Sequence, residues 1–280
     1  MGSEPSFEGR PLPNPDEEIF DQGLSFDVGT LLDRRRVLVL AGSSVLGAAL
    51  AACGLSSTST SSGAATNGSA STDETIPEET AGPYPADGSN GPDVLTQSGI
   101  VRRDIRSSFG GMTGTAAGVP LEIRLAVEDA ATGAPLPGAA VYVWHCDRDG
   151  GYSLYTVTDR NYLRGVQPTG DDGVATFTSV FPACYAGRWP HIHFEVYRDL
   201  ASAAAGEDRL ATSQIALPQA TCEEVYATEG YARSVTNLQQ VSLATDMVFG
   251  DDGGVRQLGT ITGSVANGLA VRLAAPVTEA

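Results

Sequence analysis

Residues 173–197 decide the fold: Gly173-Val-Ala-Thr-Phe-Thr-Ser-Val180-Phe-Pro-Ala-Cys-Tyr185-Ala-Gly-Arg188-Trp-Pro-His191-Ile-His193-Phe-Glu-Val-Tyr197. Two runs of β-branched and aromatic residues, 174–180 and 191–197, flank a Pro- and Gly-containing connection, and Asp171-Asp172-Gly173 supplies a turn before the first. Successive side chains of a strand point to opposite faces, so His191 and His193 share one face and can grip a single metal ion. The chain has only three histidines, and two are spent here.

Further strand-like runs lie at 121–127, 139–144, 210–217, 259–262 and 270–273, separated by Gly, Pro and Asp. Together these predict an all-β fold, a two-sheet β-sandwich with long loops. One short helix is predicted at 222–227, with Thr221 as its cap and Glu223 and Glu224 favouring its first turn. Arg164, in Leu163-Arg164-Gly165-Val166-Gln167, reads as a turn residue, and no tandem repeat is present.

The N-terminal quarter has a different character. Arg34, Arg35 and Arg36 precede an apolar run that closes on Leu50-Ala51-Ala52-Cys53. That run is short for a membrane span and fits a secretory h-region; its arginines resemble a twin-arginine export signal. Leu-Ala-Ala-Cys resembles a bacterial lipobox, which makes Cys53 the expected lipidation site. Residues 1–52 therefore read as a lipoprotein signal segment, 53–75 as a disordered Ser/Thr/Gly-rich tether and 76–280 as the folded domain. The expected destination is outside the cytoplasm, either lipid-anchored on the outer face of the cytoplasmic membrane or secreted.

Seventeen basic against 34 acidic residues give a formal charge of −17, which argues against nucleic acid as a partner because phosphates require clustered cations. Membrane contact would then come only through the lipid. Export implies an oxidising compartment, and beyond Cys53 three cysteines remain: Cys146, Cys184 and Cys222. Cys146 follows Trp144-His145 in a predicted strand and reads as a buried thiol. Cys184 and Cys222 read as loop residues and are expected to pair.

A second segment, Trp144-His-Cys-Asp-Arg-Asp-Gly150-Gly-Tyr152, carries another tyrosine. Imidazoles with anionic phenolates suit a hard ferric ion. In order along the chain, Trp144 to Tyr152, Gly173 to Tyr185 and Arg188 to His193 resemble three motifs of the intradiol ring-cleavage dioxygenases. Catechol 1,2-dioxygenase and protocatechuate 3,4-dioxygenase typify that family of non-haem ferric enzymes. The resemblance extends from about residue 76 to 273, and it includes Thr80-Ala-Gly-Pro83-Tyr84, similar to an arm near the substrate mouth.

The resemblance implies Fe(3+) held by Tyr152, Tyr185, His191 and His193. Tyr185 would be the ligand displaced by substrate and would act as a base. Arg188 would stabilise negative charge, Gln214 would orient substrate or oxygen, and Pro83 and Tyr84 would border the pocket. The implied reaction inserts both atoms of O2 into a catechol-type aromatic and opens the ring between its hydroxyl-bearing carbons to a muconate-type product. Ala183, in place of the usual glycine, and Cys184 depart from the family pattern; the link from Tyr185 to His191 is shorter than in the cytosolic enzymes, and that shortening resembles the exported branch of the family.

Two other readings stand beside this one. One is a non-catalytic exported β-sandwich that binds aromatics or polymers; the other is a zinc hydrolase using His145, His191 and His193. His145 alone reads as a hydrogen-bonded core or pocket histidine, and Tyr155 competes with Tyr152 as the ligand. The sequence leaves the particular catechol and the oligomeric state open, a homodimer included.

Overall fold

The computed structural model describes residues 6–7, 10–11 and 75–279. The signal segment, Cys53 and most of the tether lie outside the described residues. Ser6–Phe7 (β1) and Arg10–Pro11 (β2) pair antiparallel as a short ladder of their own.

Two four-stranded sheets make up the body of 75–279. One has the order β6-β3-β10-β9, built from β3 (Pro120–Asp129), β6 (Val174–Val180), β9 (Thr260–Ser264) and β10 (Gly268–Val277). The other has the order β5-β4-β7-β8, built from β4 (Ala140–Trp144), β5 (Arg164–Pro168), β7 (His191–Tyr197) and β8 (Arg209–Ala216). Every pairing is antiparallel except β10 with β3, which run parallel from Leu269 opposite Leu121 to Val277 opposite Asp129. The all-β sandwich expected from the strand-like runs is the fold observed.

Alternation explains the core. Leu121, Ile123, Leu125 and Val127 of β3 meet Val141 and Val143 of β4 and Ile192, Phe194 and Val196 of β7 in one buried cluster. Burying such side chains stabilises the fold by roughly 25 cal/mol per Å² of apolar surface. The opposite face of the second sheet is also buried, and this is where the polar residues collect. Register places Arg164 opposite Trp144, Trp144 opposite His193, and His193 opposite Gln214, so these four form one row across four strands.

Several expectations are corrected. Arg164 is no turn residue: it opens β5 and is fully buried. The predicted short helix is present as Gln219–Tyr226 but begins earlier, with Pro218 at its cap position and no side-chain cap bond, so Thr221 lies inside it. Proline's fixed φ suits a helix start, which is why the boundary falls there.

Calling that helix α2 in chain order, two more flank it: α1 (Leu200–Ala205), capped by Asp199 Oδ1 accepting from Ser202 N at 2.8 Å, and α3 (Ala232–Leu238). Cys184 and Cys222 are not bonded. Both are free thiols, as is Cys146, and all three are buried. Each packs as a small apolar group whose S–H points at a backbone carbonyl: Arg188 O for Cys184, Leu217 O for Cys222 and Ala183 O for Cys146.

Candidate metal centre

β7 supplies both imidazoles to the outer face of its sheet. His191 Nδ1 lies 2.6 Å from the carbonyl of Trp189. The carbonyl can only accept, so Nδ1 carries the proton and Nε2 presents a lone pair. That Nε2 is the meeting point of the site: Tyr185 Oη is 3.2 Å away, Tyr152 Oη 3.4 Å and His193 Nε2 3.1 Å.

Local structure brings the tyrosines there. Gly150 has φ +91, and a Cβ on it would lie 3.3 Å from the Cβ of Tyr185, so the turn before Tyr152 closes directly against the loop carrying Tyr185. Tyr152 is then 2 % exposed, while Tyr185 is only half-buried. The Trp144 indole stacks on His193 with ring centroids 4.9 Å apart.

The donor set fits a metal ion. Ligands about 2.1 Å from a common centre stand roughly 3 to 3.5 Å from one another at tetrahedral to right angles, the spacing found here. Burial drives the Tyr152 phenol well above its ordinary pKa, with the Tyr185 phenol adding to the effect, and burial pushes Tyr185 up to about 12. Burial, then the charge of Arg188, holds His191 well below the ordinary imidazole range; burial, then His191, does the same for His193. The imidazoles are therefore neutral and ready to ligate, whereas the phenols would give up their protons only to a bound cation.

His145 does not join them. Its Nδ1 is 2.7 Å from Cys146 O and its Nε2 is 2.7 Å from Ser179 Oγ, so both ring nitrogens are spent inside the core. Among the described residues, His, Cys, Asp and Glu form no group of three able to hold an ion. A three-histidine zinc centre has no geometry to support it. Tyr155 also stands apart, accepting from Ala86 N and donating to Asn90 Oδ1, both at 2.9 Å.

The arm runs beside the ligands. Gly82, at φ +70, approaches so closely that a Cβ there would lie 3.2 Å from His193 Cε1. The Tyr84 ring lies 4.9 Å from both Tyr152 and Tyr155, and Pro83 O accepts from Asn90 Nδ2 at 2.7 Å. Buried Arg164 ties this arm to the ligand loop, donating to Pro85 O at 3.0 Å, to Ser153 Oγ at 3.0 Å and to Ser153 O at 2.9 Å.

Arg188 is buried and donates through Nε to Asp246 Oδ2 at 2.9 Å and through Nη2 to Gln214 Oε1 at 2.8 Å. Gln214 in turn donates to Thr80 O at 2.9 Å. Sequence reasoning missed Asp246, which lies 58 residues from Arg188 and carries no motif of its own. It also missed the role of Arg164, since an isolated Arg beside Gly gives no periodicity.

No family model matches the chain, and no curated protein does. Solved structures do. An intradiol ring-cleavage dioxygenase from Tetranychus urticae superposes with a TM-score of 0.59 at 25% identity, over 74% of this chain and 95% of that one. A second solved dioxygenase matches with a TM-score of 0.58 at 23% identity over the same shares.

Proposed function

We propose, from the premise that this chain belongs structurally with the intradiol ring-cleavage dioxygenases, that it is a non-haem ferric dioxygenase acting on a catechol-type aromatic. The observation that carries this reading is the convergence of Tyr152 Oη, Tyr185 Oη and His193 Nε2 on His191 Nε2 within 3.1 to 3.4 Å. Those four side chains would hold the iron. Bound there, Fe(3+) would lower the pKa values of both catechol hydroxyls, chelate their oxygens and make the ring reactive toward O2.

The chain's own residues divide the remaining work. Tyr185 is the more exposed of the two phenols, so it is the one that can swing away and take a catechol proton at its Oη. Tyr152 is buried and covered by the Tyr84 ring, and it stays. Arg188 presents fixed positive charge near both phenol oxygens and is suited to stabilising negative charge that develops on the ring oxygens. Trp144, Tyr84 and Gly82 close the far side of His193 and Tyr152 and exclude water there. The product of this reading is a muconate-type dicarboxylic acid containing both atoms of O2.

The arginines from Arg34 and the Leu50-Ala51-Ala52-Cys53 stretch support export and lipid anchoring through Cys53 as part of this proposal. Cys53→Ala should move the protein out of the membrane fraction, and unchanged fractionation would count against the anchor.

The test of the catalytic reading is iron reconstitution followed by O2 uptake. One equivalent of ferric iron should bind with a visible phenolate charge-transfer band, and catechol or a substituted catechol should then consume O2. A colourless protein that retains no iron would remove the basis for the proposal.

A further inference from the structure

Asp246 is wholly buried and accepts five N–H groups. Three come from backbone: Trp189 N at 2.6 Å on Oδ2, and Val248 N at 2.9 Å and Phe249 N at 3.2 Å on Oδ1. These fix the carboxylate independently of any ligand. The other two come from Arg188, Nε to Oδ2 at 2.9 Å and Nη2 to Oδ1 at 3.4 Å, which is the side-on fork that a planar guanidinium makes with a carboxylate.

Gln214 takes Arg188 Nη2 as well, and its amide is locked in turn by donating to Thr80 O, so its oxygen faces the guanidinium. A planar group held at two of its three nitrogens has no freedom to rotate. Among the described residues no acceptor engages the third nitrogen, Nη1. Nη1 is not sealed in the core with its siblings, so it is the one nitrogen of the clamped guanidinium that a bound molecule can reach.

We propose that Asp246 is a positioning residue which, with Gln214, clamps Arg188 so that Nη1 is the donor offered to the oxygen of the substrate ring where negative charge develops. This rests on the dioxygenase reading above. It also revises the expectation for Gln214, whose amide serves the clamp and the arm at Thr80. Asp246 itself touches neither substrate nor metal, so its effect passes entirely through Arg188.

The test is a double-variant cycle on the iron-loaded full-length protein. Asp246→Asn keeps the shape of the side chain, removes the carboxylate and turns one oxygen into a donor. It should lower kcat/KM about 100-fold, the scale seen when one transition-state donor is lost. Iron content and the visible band should stay as in the unaltered protein, and anaerobic catechol titration should show weaker binding. Arg188→Ala alone should lose at least as much, and the pair Arg188→Ala with Asp246→Asn should be no worse than Arg188→Ala alone.

Additive losses would overturn the clamp and leave Asp246 as a purely structural residue, as would kcat/KM unchanged in Asp246→Asn. If Asp246→Asn fails to fold, Asp246→Glu carries the test. It retains the charge but displaces it by one methylene, so it should retain iron and lose turnover roughly tenfold, and full turnover would refute the proposal. An unaltered protein that binds no iron or cleaves no catechol would instead defeat the dioxygenase reading, whatever the variants do.

Discussion

The indole of Trp144 and the imidazole of His193 lie 5° from parallel with centroids 4.9 Å apart, directly opposite each other across β4 and β7. His193 Nδ1 is buried without a hydrogen-bond partner, so on that side of the ring this stack, rather than a bond at Nδ1, holds its orientation while Nε2 faces His191. Trp144→Ala should cost about 3–5 kcal/mol of stability and weaken iron retention about tenfold. Trp144→Phe should cost no more than about 1.5 kcal/mol, since an aromatic platform remains and the indole N–H has no partner to lose. Denaturant midpoints and an iron titration check both.

Tyr152 and Tyr155 make the sharpest paired test of the ligand set. Tyr152→Phe should shift or weaken the visible band and loosen iron at least tenfold, because it removes a donor from the cluster at His191 Nε2. Tyr155→Phe should leave band and iron intact. It removes only the bonds to Ala86 N and Asn90, at a cost of about 1 kcal/mol. Equal spectral changes in the two variants would contradict the assignment.

Arg164 is a buried cation satisfied by neutral acceptors on three separate segments, Pro85, Tyr142 and Ser153, with no carboxylate partner among the described residues. Arg164→Met should strand the carbonyl of Ser153, while Pro85 O keeps the Tyr142 hydroxyl at 2.7 Å, and should cost about 3 kcal/mol in urea unfolding. Arg164→Lys should recover part of that, because one ammonium cannot reach all the acceptors a guanidinium fork does.

Glu79 anchors the arm to β8 through its backbone N–H to Thr212 O, and its carboxyl is raised to about 7 by burial first and by Asp251 next. Unfolded, it titrates near 4.5. The folded state therefore binds the proton more tightly. This contribution to stability is complete below about 4.5 and is lost as pH rises through about 7. Glu79→Gln should flatten the fall in thermal midpoint between pH 5 and pH 8. Some slope should remain, since burial raises Glu195 to about 7 as well.

Much of this was legible in the sequence for one physical reason. A strand that alternates or is buried on both faces leaves its period in the residues, so the runs that became β3, β4, β6, β7 and β8 and the pairing of His191 with His193 on one face could be read directly. The runs that failed lack such a signal. β5 is Arg-Gly-Val-Gln-Pro, with a single strand-former, and α1 and α3 are under two and a half turns long.

The disulfide expectation failed because composition cannot separate a loop cysteine from a core one. Asp246 was invisible for a different reason: its whole meaning lies in reaching Arg188 across 58 residues.

The central claim, intradiol cleavage at the Tyr152, Tyr185, His191 and His193 cluster, is tested most directly by the fate of labelled oxygen. Iron-loaded protein given catechol or a substituted catechol with labelled O2 should yield a muconate-type dicarboxylic acid carrying both labelled atoms. A semialdehyde, which requires the ring to open beside the hydroxyl-bearing carbons, or a product with only one labelled atom, would contradict the account.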